Sequence, residues 1–192
     1  MNSGVRPGIF FDIFRYSLMV QRGGWWVDCD VVCLRPFEFN SEIVFGWQDA
    51  TTINGAVMRL PQGHKAAHLL LSNSLHPTRW QKGDPWRRRA RKARDAVTGY
   101  RSPATAKWGM TGPMALTVTA RKLDLLDYAL PTRAFYPVHW RDAEQLFATP
   151  RPTTLPSDSF AVHLWNEMLS AHTGEYAAES IVGGYLRQFG VD

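Results

Sequence analysis

Two carboxylates separated by one residue, Asp28 and Asp30, are the side chains best placed to do chemistry. They follow a glycine pair and an apolar run, and on an extended strand residues i and i+2 point to the same face. Two like charges beside apolar residues are unfavourable unless they share a proton or a cation. Oxygen ligands on one face suit magnesium or manganese, which would also hold a diphosphate. The pattern predicts a divalent-metal site. The alternative is two aspartates that cap a turn at a sheet edge.

A second charged pair, Asp12 and Arg15, lies upstream at helical spacing (i, i+3). Apolar residues at Phe10, Ile13 and Leu18 predict a helix over 9–21, which Gly23-Gly24 ends. This helix leads directly into the carboxylates, so it can carry both charged residues to the same site. A simple surface ion pair is the alternative.

The segment DIFRYSLMVQRGGWWVDCDVVCLRPF resembles the sugar-binding region of the D-x-D glycosyltransferases. That group includes initiating mannosyltransferase-like enzymes, α-1,4-N-acetylglucosaminyl- and galactosyltransferases, capsule and lipopolysaccharide transferases and, more distantly, clostridial glucosylating toxins. The positions that match in register are Asp12, Arg15, Tyr16, Gly23, Gly24, Trp26, Asp28 and Asp30. Weaker matches follow at 53–56, 61–64, 111–113 and 162–166.

For the metal centre, the resemblance implies that Asp28 and Asp30 organise manganese (or magnesium) on the donor diphosphate, with Asp30 favoured as the direct ligand. His163 would complete these contacts, and its alternative role is that of a hydrogen-bonded core histidine. Arg15 is expected to join the two aspartates in catalysis by neutralising charge on the leaving diphosphate.

For the donor, the resemblance implies contacts with the sugar, ribose or phosphate from residues spread along the chain. The implied residues are Asp12, Arg15, Gly24, Trp26, Asn54 and Gly112. For Asn54 and Gly112 a plain turn role is the alternative.

The expected function is a metal-dependent, retaining transfer of a sugar from a UDP- or GDP-sugar to a glycan or lipid-linked acceptor, as in polysaccharide biosynthesis. One alternative enzyme is a haloacid-dehalogenase-like phosphatase, with Asp28 as phosphoryl acceptor, Asp30 as acid/base and Asp84 as the later acidic residue. Another alternative is an inactive, truncated glycosyltransferase-like protein that only binds glycans or a partner.

The elements that must position these residues alternate between strands and helices, which favours an α/β layered domain. Strands are predicted at 25–34, 43–47, 56–60, 125–130, 134–138 and 160–165, and helices at 9–21, 64–75, 86–97, 113–122 and 179–189. The resemblance implies one GT-A-like domain over 1–192, with a mixed sheet flanked by helices. Because the family pattern begins so early in the chain, part of the N-terminal nucleotide-binding half is expected to be missing. The sheet edge left exposed would favour self-association, although the sequence leaves the oligomeric state open.

The composition favours anionic partners, because 22 Lys and Arg face 17 Asp and Glu in 192 residues. The basic run from Arg87 to Arg94 is predicted to be a solvated helix, or a dock for an anionic membrane or a lipid-diphosphate-linked acceptor. No nucleic-acid motif accompanies it. No apolar run approaches the ~20 residues of a membrane helix. We therefore expect a cytoplasmic protein, peripheral at the inner membrane face.

The two cysteines, Cys29 and Cys33, are not expected to pair. On one strand they would lie ~13 Å apart, whereas a disulfide needs Cα atoms ~5.5 Å apart.

Overall fold

The computed structural model describes residues 7–80, 84, 86–100, 102–103, 111–147, 154–166 and 177–190. The helices are α1 (Pro7–Gln21), α2 (Lys65–Leu75), α3 (Trp86–Val97), α4 (Pro113–Lys122) and α5 (Ile181–Phe189). The strands are β1 (Gly24–Val27), β2 (Val31–Cys33), β3 (Val44–Trp47), β4 (Ile53–Leu60), β5 (Ala129–Leu130) and β6 (Ala161–His163). Three 3-10 helices cover Leu126–Tyr128, Thr132–Ala134 and Trp140–Leu146.

The main sheet is mixed and has the strand order β1-β4-β3-β5. β4 pairs antiparallel with both β1 and β3, and β3 pairs parallel with β5. β4 is buried along almost its whole length, as expected of a central strand covered on both faces. β1 lies at the edge, with both end residues exposed. A second, two-stranded sheet joins β2 to β6, with Val31 opposite His163.

Helices α1, α2 and α4 cover one face of the main sheet. Tyr16, Met19, Leu70 and Leu116 are buried there in one cluster with Met58 and other apolar residues of β3 and β4. Within each helix the buried residues of this cluster recur at spacings of three or four and so form an apolar stripe: Tyr16 and Met19, Ala67 and Leu70, and Leu116 and Ala120.

Residues from the C-terminal half form a second apolar cluster around Val57 of β4. Phe135, Tyr136, Val162 and Trp165 are buried in it, together with Ile181 at the start of α5. The main sheet therefore lies between helices on one side and a layer of 3-10 helices, β6 and α5 on the other.

The turn after α1 depends on glycine. Gly23 has a φ of +64°, and a Cβ added there would lie 2.3 Å from the backbone nitrogen of Gln62. Only glycine allows α1 and β1 to pack this closely against the 61–63 turn.

The mixed α/β architecture and all five predicted helices are confirmed within one or two residues. The Gly183-Gly184 pair lies inside the continuous helix α5, which follows the N-cap Ser180. Both cysteines are free, as expected. Among the described residues, no helix is long and apolar enough to cross a bilayer.

Three strand predictions are wrong. Residues 25–34 form two strands with a turn between them, and the first strand is at the sheet edge rather than buried. Residues 125–130 include the 3-10 helix Leu126–Tyr128, and only the last two residues form a strand. Residues 134–138 form no strand, because their apolar side chains fill the core from an irregular segment after a 3-10 helix. Apolar runs this short do not distinguish a strand from other buried structure.

Candidate active site

Asp28, Asp30 and His163 converge at the turn between β1 and β2. One ligand atom from each lies within 4.8 Å of the other two. The prediction that the two aspartates share one face of a single strand is wrong. Cys29 and Asp30 instead form a turn, which is closed by a hydrogen bond from Val31 N to Asp28 O (3.2 Å). The carboxylates meet because the chain reverses at this turn. The β2–β6 pairing then brings His163 alongside.

Asp28 is held by the N-terminal part of the chain. Its carboxylate accepts a hydrogen bond from Trp26 Nε1 at 2.5 Å and lies 3.4 Å from the Arg15 guanidinium. Its backbone N–H donates to the carbonyl of Ala56 in β4 (2.7 Å). These contacts fix the Asp28 side chain from one side, while a quarter of it remains exposed.

Arg15 also lies 3.6 Å from Asp12, and both side chains are buried. Burial raises the pKa of Asp12, and the opposing effects of Arg15 and of the Thr111 hydroxyl (2.7 Å) are smaller. Burial lowers the pKa of Arg15, but Asp28 and Asp12 together outweigh it, so that the pKa lies above its usual value. The guanidinium therefore remains cationic between two carboxylates.

The position of Arg15 is further restricted by packing. Its guanidinium lies over the Trp26 ring, 5.3 Å from the ring centre. A Cβ added to Gly55 in β4 would come within 2.6 Å of one guanidinium nitrogen. The Nε atom is buried with no hydrogen-bond partner among the described residues. Charge and packing therefore hold the guanidinium in place without a hydrogen bond through Nε.

Asp30 is held by the C-terminal part of the chain. One carboxylate oxygen lies 3.2 Å from His163 Nε2, and the other accepts a hydrogen bond from the backbone N–H of Asn166 (3.0 Å). The Asp30 carbonyl accepts a third hydrogen bond from Leu164 N (2.8 Å). Burial raises the pKa of Asp30, but the contacts with His163 and Asn166 lower it by more. The carboxylate form is therefore favoured.

His163 is buried against two aromatic rings. Trp165 packs on it at 4.2 Å and Tyr136 at 5.9 Å between ring centres, both edge to face. Trp165 has a φ of +57°, a rare conformation for a bulky residue. Its indole donates to the Val138 carbonyl (2.9 Å), which anchors the turn that brings Asn166 to Asp30.

These three side chains fit a divalent cation. Carboxylate oxygens and an imidazole nitrogen are common ligands of manganese and related ions. Two ligands on opposite sides of an ion at 2.0–2.2 Å would be about 4.2 Å apart, so atoms within 4.8 Å need only small shifts. The formal charges also fit, because Asp12, Asp28 and Asp30 against one guanidinium leave two negative charges.

The other predicted donor-binding residues have structural contacts of their own. Gly24, the first residue of β1, has a φ of +84°, with nothing within 4 Å of an added Cβ. Asn54 is buried, donates to the Gln48 side chain (2.7 Å) and accepts from Ala56 N (2.8 Å). Gly112 lies at the start of α4, where an added Cβ would be 3.4 Å from an Asp12 carboxylate oxygen.

Several supporting residues were not predicted. Gly55 leaves room for Arg15. Its position inside a strand is a sequence signal for this role, because a glycine there often marks the close approach of another group. Thr111 holds Asp12 and accepts a hydrogen bond from Tyr16 through its carbonyl (3.1 Å). The Tyr136 hydroxyl accepts from Val57 N (3.2 Å) and donates to the Asn54 carbonyl (3.3 Å). Nothing in the sequence around Tyr136 indicates this role.

The C-terminal half of the chain is similar to a known protein family. Residues 94–190 match the family described as the alpha 1,4-glycosyltransferase conserved region. The chain belongs to this glycosyltransferase family. The matched region includes the 111–113 loop and His163, whereas the two aspartates of the turn lie before it.

Relatives of known function agree with this membership. The chain is 28% identical over 173 residues to human lactosylceramide 4-alpha-galactosyltransferase, covering 83% of this chain and 42% of that protein. It is 26% identical over 168 residues to the gorilla protein of that name, covering 83% and 45%. The mouse protein is 27% identical over 173 residues, with 83% and 41% covered. The chain thus spans less than half the length of these relatives. No solved structure matches it.

Family membership identifies a glycosyltransferase and gives no support to the phosphatase alternative. Asp84, the later acidic residue of that alternative, instead pairs with Lys92 (2.8 Å) and Arg88 (3.4 Å) of α3. It is buried in this ion cluster, which involves none of the three clustered metal-ligand candidates.

Proposed function

We propose that the chain is the donor-binding domain of a metal-dependent, retaining glycosyltransferase with a GT-A-like fold over residues 1–192. The observation that supports this most directly is the cluster of Asp28, Asp30 and His163 beside the buried Asp12–Arg15 pair. In a glycosyltransferase family, a metal held by this cluster, together with the fixed Arg15 guanidinium, would suit the binding of a nucleotide diphosphate.

The metal in this proposal is manganese or magnesium, and Asp28, Asp30 and His163 would hold it. When bound, it would supply positive charge that stabilises the leaving diphosphate. His163 has its Nδ1 atom buried without a hydrogen-bond partner among the described residues, and Nε2 faces Asp30. Only Nε2 faces the carboxylates, so we assign the ligand role to that nitrogen.

Arg15 contributes a fixed positive charge in this proposal. Asp12 and Asp28 hold the guanidinium from two sides, and its raised pKa keeps it charged. Because it is already oriented, it needs little rearrangement to stabilise charge that develops on the donor phosphate.

Trp26, Gly24, Asn54 and Gly112 act at the edge of the donor pocket in this proposal. Trp26 orients Asp28 by a short hydrogen bond and covers Arg15, so its effect on the nucleotide sugar passes through those two residues. Gly112 lies beside Asp12, so its effect on the donor would pass through that residue.

For the reaction we propose retention of anomeric configuration. The bond between the anomeric carbon and the diphosphate oxygen breaks, and a bond to the acceptor oxygen forms on the same face. The acceptor proton passes to the departing phosphate oxygen. This route uses no covalent intermediate on the protein.

The substrate class follows from the names of the relatives. They are described as galactosyltransferases that act on lactosylceramide. We propose a hexosyl donor, with UDP-galactose first among UDP- and GDP-sugars, and a glycan or glycolipid acceptor.

The test is turnover of radiolabelled nucleotide sugars, with and without manganese. Release of labelled sugar to water or lactose that requires manganese is the expected result. A folded chain that turns over none of the UDP- and GDP-hexoses tested would contradict the enzyme proposal. In that case, calorimetry with the same donors separates a binding protein, which retains manganese-dependent donor affinity, from a chain with no donor site.

A further inference from the structure

Helix α3 carries charges on two opposite sides, and among the described residues only one of these sides packs against the rest of the protein. Lys92 and Asp95 are buried and Arg88 is half-buried, which fits a single inward face at spacings of three and four. The other side of the helix is exposed to solvent along its entire length.

The inward face is anchored by a buried ion cluster. Lys92 Nζ lies 2.8 Å from Asp84 and donates to the Arg79 carbonyl at 2.7 Å, while Arg88 approaches Asp84 to 3.4 Å. Burial lowers the pKa of Lys92, and Asp84 opposes this effect. Because removing one member of such a cluster would strand a buried charge, it fixes which side of α3 faces outward.

The outward face has an apolar stripe along its centre. Trp86, Ala90, Ala93 and Val97 follow one another at spacings of four, three and four, so they lie on one line of the helix surface. All four are exposed, with Trp86 at 73% and Val97 at 81%.

Arginines flank this stripe on both sides. Arg87, Arg91 and Arg94 lie along one side and Arg89 along the other, and all four are exposed. Within the described part of the chain, no ion pair involves Arg87, Arg89 or Arg91. The Arg87 guanidinium lies instead over the Trp86 ring, 5.4 Å from its centre. We call these eight residues the α3 outer face.

We propose that the α3 outer face binds the surface of an anionic lipid membrane. An apolar stripe with tryptophan, flanked by basic residues, is the pattern of helices that lie in the interface between headgroups and acyl chains. Arginines without acidic partners complement anionic headgroups. A nucleic acid would use the charges but leave the exposed apolar stripe uncovered, so a membrane accounts for more of this face. The proposal does not rest on the sugar chemistry.

The test is sedimentation of the whole chain with phosphatidylcholine vesicles, with and without phosphatidylglycerol. We expect binding to the anionic vesicles, weaker binding as salt rises, and none to pure phosphatidylcholine. The double variant Arg87→Gln/Arg91→Gln should lower the partition coefficient about 30-fold, since each surface arginine contributes about fivefold.

A matched control removes two exposed charges elsewhere, in the variant Arg22→Gln/Lys65→Gln. Its partition coefficient should stay within about twofold of the original, because these charges lie outside α3. Trp86→Ser tests the stripe and should weaken vesicle binding about fivefold through lost apolar contact. The same substitution should leave binding to a labelled DNA duplex unchanged.

Three results would overturn the proposal. They are equal binding to neutral and anionic vesicles, equal losses in the two double variants, and tighter binding to the duplex than to anionic vesicles at the same salt. Circular dichroism checks that each variant is folded. If the α3 variant fails to fold, the lipid and salt dependence of the unaltered chain still decides the question.

Discussion

The two aspartates of the site are held in different ways by different parts of the chain. Asp28 is held from nearby in sequence, by the Trp26 indole and the Arg15 guanidinium. Asp30 is held from far away, by His163 and the backbone N–H of Asn166. The first aspartate depends on a buried cation, and the second on a neighbouring strand and its histidine.

Because of this difference, substitutions on the two sides should affect different properties, namely the stability of the fold or the binding of the metal. On the Asp28 side, Arg15 balances two carboxylates, so its removal leaves buried charge without a partner. On the Asp30 side, the carboxylate is supported mostly by hydrogen bonding, from His163 and from the backbone of Asn166. We therefore expect loss of the cation beside Asp28 to affect folding first and changes near Asp30 to affect metal binding first.

The largest effect is expected for Arg15→Met. Loss of the guanidinium leaves Asp12 and Asp28 without their cation, which should lower the free energy of unfolding by about 3–5 kcal/mol. Urea denaturation measures this change. The control is Arg22→Met, an exposed position just after the same helix, and its effect should stay within about 0.5 kcal/mol. Similar losses in both variants would show that Arg15 has no special place in the buried charge balance.

Asp30→Ala should separate metal binding from stability. We expect manganese-dependent turnover to fall at least about 100-fold, which corresponds to about 2.7 kcal/mol. Donor binding by calorimetry should lose its dependence on manganese. Cys29→Ser, between the two aspartates and exposed, should leave both measurements unchanged. Manganese-dependent donor binding that survives Asp30→Ala would exclude Asp30 as a ligand.

Gly55→Ala tests the space occupied by Arg15. The new methyl group would overlap a guanidinium nitrogen, and overpacking of this kind lowers the free energy of unfolding by about 1–3 kcal/mol. Gly8→Ala, at an exposed position of α1, is the control, since nothing lies within 4 Å of its added methyl group. Equal thermal stability of the two variants would contradict the tight fit of Arg15 against β4.

The smallest effect is expected for Trp26→Phe. It keeps an aromatic ring near Arg15 but removes the indole donor to Asp28, a loss of about 1 kcal/mol. We expect manganese affinity to fall about fivefold, with little change in the unfolding midpoint. Calorimetric titration with manganese measures this affinity. An unchanged affinity would show that Asp28 needs no help from Trp26 to bind the metal.

The sequence alone predicted the Asp28 side better than the Asp30 side. Helix α1, the glycine turn and the Asp12–Arg15 pair are local features, and periodicity and turn residues report local structure. The sequence could not predict that Asp28 and Asp30 lie in a turn, because WWVDCDVV is equally compatible with one strand or two. The alternative prediction, in which the two aspartates lie at a turn, describes the backbone there.

The contacts around Asp30 were less accessible to prediction because they depend on tertiary structure. The 162–166 segment suggested a ligand only through family resemblance, and the positive φ of Trp165 has no glycine to signal it. Tyr136 comes from a segment that was predicted to be a strand and is irregular. Its position depends on the packing of the second core, which no local pattern encodes.

The pairing of β2 with β6 also determines when Asp30 and His163 can meet during synthesis and folding of the chain. Asp30 and His163 are 133 residues apart, so at ribosomal speeds the histidine follows the aspartates by on the order of ten seconds. During that interval the aspartates are on the nascent chain without their third partner. Such distant contacts form late because the intervening chain must first be ordered. The three side chains of the proposed metal site therefore come together only after His163 has been made and β6 has paired with β2.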